Sequence, residues 1–133
     1  MHEVEETEYG LRLTLDGYIE AEEMAEHCDQ IRSAVDREPG SFCVVADLRG
    51  ATAMPDSAAE ELQETMAYCD RNGLERSAGV FESTTTAMQI QKMAEKVNHA
   101  GGNTVFIDAS DVTEWEDAAL DWARDGEKPA GTL

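Results

Sequence analysis

The stretch SFCVVADLRGATAMPDSAAEEL, residues 41–62, decides the fold of this chain. Its residues 42–47 form a nearly continuous apolar run, which is typical of a central strand covered on both faces. A loop of mostly small residues follows, and Ser57 with Glu60 then matches the S-x-x-E capping box that opens helices. The stretch therefore predicts a buried strand, a loop and the start of a helix.

Strands and helices alternate on both sides of this stretch. Leu11, Leu13 and Leu15 alternate with polar residues, as in a strand with one buried face, and Val4 and Tyr9 leave room for a shorter strand before it. Two later segments, residues 77–81 and 103–107, are also predicted strands. Apolar stripes at helical spacing predict helices near 20–37, 57–72, 86–100 and 113–124. Two more capping boxes, at residues 86–89 and 113–116, mark the starts of the last two helices.

This order predicts a single α/β domain over residues 1–126, with a frayed tail at residues 127–133. Right-handed crossovers then give a four- or five-stranded, mostly parallel sheet with flanking helices. We expect the strand at residues 42–47 in the interior of the sheet. The strand at residues 11–15 is either parallel to it or antiparallel at an edge.

The charge balance is strongly acidic, with 29 Asp and Glu against 10 Lys and Arg, a net charge of −19. A ligand-binding or nucleic-acid-mimicking patch would concentrate this charge, but the carboxylates are spread over the predicted helices. The spread favours a halophilic, cytoplasmic protein, because molar salt shortens the Debye length to about 3 Å. The sequence lacks a basic stripe, a membrane-length apolar stretch and a signal-peptide core, so we expect neither nucleic acid nor membrane as a partner.

The reactive side chains form no recognisable catalytic pattern. Cys28, Cys43 and Cys69 lie at predicted core positions, which favours small hydrophobes in a reducing compartment over a disulfide framework or a metal site. The three histidines are scattered along the chain. Neither a nucleophile with a base nor a carboxylate pair stands out, so we expect a non-enzymatic protein without a cofactor.

With these elements placed, the chain resembles the STAS domain of anti-anti-sigma factors and its SpoIIAA-like (STAS/SEC14-like) relatives. The similar residues are the strand VVADL at 44–48, the loop GATAM at 50–54 and the dipeptide Asp56-Ser57 that opens a helix. The resemblance implies an anti-sigma factor antagonist, whose serine is phosphorylated by a partner kinase that is also the anti-sigma factor. It implies Ser57 as the phosphate acceptor and Asp56 as its acidic neighbour. The residues themselves leave a second interpretation open, in which Ser57 is a helix N-cap and nothing more.

The predicted helix at residues 86–100 is nearly free of carboxylates on its outer face. Such a face suits the centre of an interface, where an unpaired carboxylate is costly to desolvate. We therefore expect it to contact either a protein partner or a second copy of the chain, through Gln89, Gln91, Lys92, Lys96 and His99.

A second function class remains open, namely a carrier of a small apolar, lipid-like ligand between a helix and the sheet. Leu62, Met93 and Trp115 would line its pocket. The competing interpretation places Trp115 and Trp122 on the core stripe of the last helix.

Overall fold

The computed structural model describes residues 1–97 and 103–129, and within these ranges it contains five strands and four helices. In chain order they are β1 (His2–Glu6), β2 (Gly10–Leu15), α1 (Ala21–Asp36), β3 (Phe42–Asp47), α2 (Asp56–Arg71), β4 (Leu74–Phe81), α3 (Thr84–Lys96), β5 (Thr104–Asp108) and α4 (Trp115–Asp125). The predicted α/β class is confirmed.

The strands form one sheet in the order β1-β2-β3-β4-β5. β2, β3, β4 and β5 are parallel, and β1 pairs with β2 as an antiparallel edge strand. The interior position predicted for residues 42–47 is confirmed. The open question about residues 11–15 is settled as well, because β2 lies parallel to β3 and the antiparallel edge belongs to β1.

Two layers of helices cover the sheet. Apolar residues of α1, α2 and α3 pack together on one face, and those of α4 pack on the other. β3 serves both layers, since Phe42 and Val44 face the three helices while Cys43 and Val45 face α4. Burial on both faces explains its continuous apolar sequence. All three cysteines are buried and free, as predicted for small core residues.

Close approach between β2 and β3 requires glycine at position 10. Gly10 has a φ of 143°, and a Cβ atom there would lie 2.1 Å from the backbone oxygen of Cys43. Any other side chain would push the two strands apart where their pairing begins. The turn between β1 and β2 is thereby held against the interior strand.

The single helix on the second face is anchored by hydrogen bonds as well as by apolar contact. Trp122 is buried, and its Nε1 donates to the backbone oxygen of Ser77 at 2.9 Å. The guanidinium of Arg76 donates to the carbonyl oxygens of Trp122 (2.8 Å) and Ala123 (3.1 Å) near the end of α4. Gly126 follows in the left-handed conformation, so the predicted stop of this helix is confirmed.

The predicted starts of the last two helices are wrong by two residues. α3 begins at Thr84 with Ser83 as its N-cap, and Ser83 Oγ accepts a hydrogen bond from the amide of Thr86. α4 begins at Trp115 without a side-chain cap, and Glu116 instead pairs with Arg12 on β2. Of the helix predicted over residues 86–100, residues 98–100 lie outside the described ranges. None of the described helices is both long enough and apolar enough to cross a membrane.

Candidate functional site

The loop between β3 and α2 is held rigidly from two sides. Ala51 and Met54 are buried, and the side chain of Gln89 on α3 clamps Met54. Gln89 Oε1 accepts from the amide of Met54 at 2.9 Å, and Gln89 Nε2 donates to its carbonyl oxygen at 3.0 Å. Thr86 Oγ1 also donates to the carbonyl oxygen of Ala51, and the amide of Gly17 donates to Gly50. The start of α2 is therefore fixed by α3.

Ser57 does not cap its helix, so the N-cap interpretation, in which its hydroxyl oxygen accepts a hydrogen bond from a backbone amide, is wrong. α2 begins one residue earlier than predicted, with Pro55 at the N-cap position and no side-chain cap. The fixed φ of Pro55 suits the approach to a helix, and the acid Asp56 in the first turn complements the positive end of the dipole. Ser57 lies in that first turn with an exposed side chain. Its side chain is therefore accessible to a modifying enzyme from the solvent.

The outer face of α3 carries Met88, which is 56% exposed, together with the exposed Lys92 and Lys96. Gln91 is half-buried, and His99 lies outside the described residues. Gln89 is half-buried and lines the groove beside α2, while both ends of its amide bind the backbone of Met54. The outer face of α3 therefore carries one exposed carboxylate, Glu95, beside two lysines, and Met88 is its large exposed apolar residue.

A surface groove of about 400 Å³ joins this face to the start of α2. Asp56 and Glu60 lie on its α2 wall, and Lys92 and Lys96 lie on its α3 wall. The groove thus brings Asp56 of the predicted phosphorylation dipeptide next to Gln89, Lys92 and Lys96 of the predicted partner-binding residues. This proximity is not readable from the sequence, because Glu60 and Lys92 are 32 positions apart.

A second polar cluster lies at the carboxyl end of β3, on the α4 side. Asp47 is buried and receives two hydrogen bonds from the guanidinium of Arg49, at 2.9 and 3.0 Å. Burial by itself would raise the pKa of Asp47, but the hydrogen bonds and charge of Arg49 outweigh it and lower the pKa. Arg49 also lies over the ring of Trp115, 4.1 Å from its centroid. Because Asp47 and Arg49 bind each other and Arg49 packs on Trp115, these contacts indicate that the cluster has a structural role.

A mainly apolar cavity of about 100 Å³ lies between the three-helix layer and the sheet. Its walls include Leu13, Ala46, Gly79 and Phe106 from the sheet and Leu62 and Ile90 from the helices. Small residues at 46 and 79 leave the space that larger side chains would fill. Its volume is below the roughly 300–1,000 Å³ of pockets for drug-sized ligands. The cavity is therefore on the scale of one small molecule and is too small for a lipid.

The residues predicted to line one ligand pocket lie apart. Leu62 lines the cavity, whereas Met93 packs in the same helix layer without lining it. Trp115 is on the opposite face of the sheet, packed against the core that includes Trp122. The core interpretation of the two tryptophans is thus correct, and a pocket made of those three residues is not formed.

Sequence reasoning missed His27, which is 1% exposed and lines the cavity. Burial, with a smaller contribution from His2, lowers the pKa of His27 to about 4, so the imidazole is neutral at pH 7. A signal was present, because His27 follows Met24 by three positions and precedes Ile31 by four on the buried stripe of α1. A polar ring on such a stripe needs either a partner or a function.

Among the described residues, no group of three or more His, Cys, Asp or Glu side chains is arranged to hold a metal ion. Neither a protein-family model nor a curated protein matches the chain.

Proposed function

We propose that this chain is a small regulatory domain that acts by binding another protein, as its resemblance to anti-sigma factor antagonists implies. The observation that supports the proposal best is the position of Ser57. Its exposed side chain lies in the first turn of α2 and directly follows Asp56, which lines a groove whose other wall is formed by α3. A modifiable residue and a suitable contact surface therefore adjoin each other.

The contact surface has a distinct charge. Residues 83–107 carry Lys92, Lys96 and Glu95 as their charged residues, which gives a net charge of +1 in a chain of −19. A partner with a neutral or acidic contact patch can approach this face without the repulsion that it meets elsewhere on the domain. The exposed Met88 on the same helix supplies an apolar anchor, since methionine is adaptable and enriched at interfaces.

Phosphorylation of Ser57 would act on the partner rather than on the fold. A phosphate adds about −2 charge at neutral pH and gains from the uncapped amides at the start of α2. Glu60 and Glu61 follow three and four positions later on the same side of the helix, so they oppose the phosphate. The added charge therefore repels an acidic partner from the neighbouring groove. In this proposal the unmodified domain binds and the phosphorylated domain releases.

The test uses the tagged full chain, expressed in the cells from which it comes and examined by native mass spectrometry. We expect a complex with a protein partner or with a second copy, and a fraction of free chain carrying one phosphate. Ser57→Asp should weaken the complex, and Ser57→Ala should preserve it and lack the phosphate.

Charge-reversal variants locate the contact surface. Lys92→Glu should weaken the complex, because it places a carboxylate on the contact face. Lys128→Glu is the matched control, since it makes the same change at an exposed position beyond α4. If Lys92→Glu and Ser57→Asp both bind like the wild type while remaining folded, the proposed surface and switch are wrong.

A further inference from the structure

His27 is the polar side chain on the cavity wall whose hydrogen bonding is incomplete. Its Nδ1 is fully buried and has no hydrogen-bond partner among the described residues. Three hydroxyl groups on the wall are satisfied. Thr65 Oγ1 donates to the carbonyl oxygen of Glu61 at 3.0 Å, and the hydroxyls of Ser77 and Thr104 pair at 3.0 Å. The unmet hydrogen bond therefore belongs to one ring that borders an apolar space.

A buried nitrogen without a hydrogen-bond partner destabilises the fold, because it has lost its hydration without compensation. Its nearest ring neighbour does not relieve this cost, because His2 meets His27 edge-on with the centroids 5.3 Å apart. His2 Nδ1 is itself within 2.9 Å of a carboxylate oxygen of Glu23. A leucine at position 27 would occupy the same place on the buried face of α1 without leaving a nitrogen unpaired. The imidazole is thus better explained by what it can bind than by packing.

The cavity also limits the charge and size of an occupant. The residues that line it are uncharged at neutral pH, and the few polar groups among them, His27 apart, are paired within the protein. An ion would lose its hydration there without compensation. The volume of about 100 Å³ is comparable to apolar protein cavities that hold one benzene-sized molecule. The occupant must therefore be small, neutral and mostly apolar.

We propose that this cavity binds a phenol-sized neutral molecule that carries one hydroxyl group, with the hydroxyl hydrogen-bonded to His27 Nδ1. A hydroxyl both donates and accepts, so it satisfies the ring nitrogen in either tautomer of the imidazole. The rest of the ligand lies against Leu62, Ala46 and Phe106. This site does not rest on the proposed protein-binding function, because the cavity and the α2–α3 groove share no lining residue among those described.

Fluorine NMR on the full chain in molar potassium chloride tests the site, with para-fluorophenol and fluorobenzene as probes. Both fit by size, but only para-fluorophenol has the hydroxyl. We expect it to bind about two- to tenfold more tightly than fluorobenzene, the ratio that one net hydrogen bond provides. In His27→Leu this preference should disappear while fluorobenzene still binds.

A cavity-filling variant separates this site from surface adsorption. Ala46→Val places two further methyl groups in the cavity from β3 and should abolish binding of both probes. Ala118→Val makes the same change on α4 and should leave binding unaltered. Nitrogen NMR of the His27 ring in the wild-type protein provides a readout that does not depend on whether a variant folds. Its Nδ1 resonance should shift when para-fluorophenol is added and stay in place with fluorobenzene.

Three results would overturn the proposal. In the first, neither probe binds the wild-type protein at millimolar concentration, which would leave water as the partner of His27. In the second, the preference for the hydroxyl survives in His27→Leu. In the third, Ala46→Val binds both probes as the wild type does.

Discussion

The two faces of the sheet differ in how completely they are packed and hydrogen-bonded. On the α4 face, Trp122 and Arg76 join the helix to β4 through hydrogen bonds, and Asp47 is paired with Arg49. On the three-helix face, the core contains the cavity and the unpartnered nitrogen of His27. The difference indicates that the α4 face is the more completely packed and hydrogen-bonded of the two, and an incompletely filled three-helix face is what the proposed ligand site requires.

The largest expected effect is on the α4 face. Trp122→Ala should lower the free energy of unfolding by about 3–5 kcal/mol, because it leaves a large cavity and removes the indole hydrogen bond to Ser77. Denaturant unfolding in molar potassium chloride measures this loss. Trp115→Ala is the matched control and should cost less, since Trp115 is half-buried and its ring faces Arg49. Equal losses in the two variants would remove the special role given to Trp122.

As the pH falls, His27 on the three-helix face and Asp47 on the α4 face should lower the free energy of unfolding in different pH ranges. The pKa of His27 is about 4 in the folded chain and about 6.5 when unfolded, so below pH 6.5 the unfolded state binds the extra proton. The free energy of unfolding should therefore fall by about 3 kcal/mol as the pH drops from 6.5 to 4. The groups around the ring are His2, Glu23 and, through His2, Glu26.

Comparing His27→Leu with the wild type isolates this contribution from the other titrating groups. The variant should lack the loss between pH 6.5 and 4. Asp47 on the α4 face has a lowered pKa, so its contribution is present above the ordinary value of 3.8 and is lost as the pH falls further. A wild-type curve that parallels the His27→Leu curve from pH 6.5 to 4 would mean that His27 is solvated in the native state.

Sequence periodicity predicted the architecture because burial follows position on a helix or strand. The spacing of Met24, Cys28, Ile31 and Val35 at steps of four, three and four predicts one helical face, and all four are buried in α1. The capping boxes failed for a different reason. Thr86 and Glu116 matched a local motif, yet their side chains bind the carbonyl of Ala51 and the guanidinium of Arg12. A four-residue pattern does not show which distant groups will compete for the same side chain.

The candidate sites were predictable from the sequence only where they depend on a single segment of the chain. The carboxylate-poor face of α3 follows from composition along one helix, whereas the hydrogen bonds of Gln89 to the backbone of Met54 depend on a distant loop. The cavity depends on how three helices lie over Ala46 and Gly79, which is not a local property of any segment. The sequence marks it by one histidine on an apolar stripe, and the cavity beside that histidine becomes visible only when the opposite wall is known.

Salt should stabilise both faces through the same mechanism. On α4, Asp117, Asp121 and Asp125 follow one another at four-residue spacing, and on α1 Glu22 and Glu26 do the same. Each such like-charged pair costs about 0.2–0.5 kcal/mol at low salt. The free energy of unfolding should therefore rise by on the order of 1–2 kcal/mol between dilute and molar potassium chloride.

Thermal unfolding at several salt concentrations measures this rise. Asp121→Asn removes the central charge of the α4 stripe and should reduce the rise. Asp16→Asn is the control, because Asp16 lies outside the helices. A thermal midpoint that does not depend on salt would exclude the halophilic interpretation of the net charge.

The smallest effect is expected at Ser57, and the contrast is with a serine at another helix start on the same face. Ser57→Ala should change the free energy of unfolding by less than about 0.5 kcal/mol, because the exposed hydroxyl caps nothing. Ser83→Ala should cost about 1 kcal/mol, because Ser83 Oγ accepts the amide of Thr86 at the start of α3. Denaturant unfolding of both variants at fixed salt and pH compares them directly. A loss at Ser57 as large as that at Ser83 would mean that Ser57 does cap α2 in solution, and the hydroxyl would then be occupied. If Ser57→Ala leaves the free energy of unfolding unchanged, the hydroxyl has no structural role, which agrees with its proposed role as a modification site.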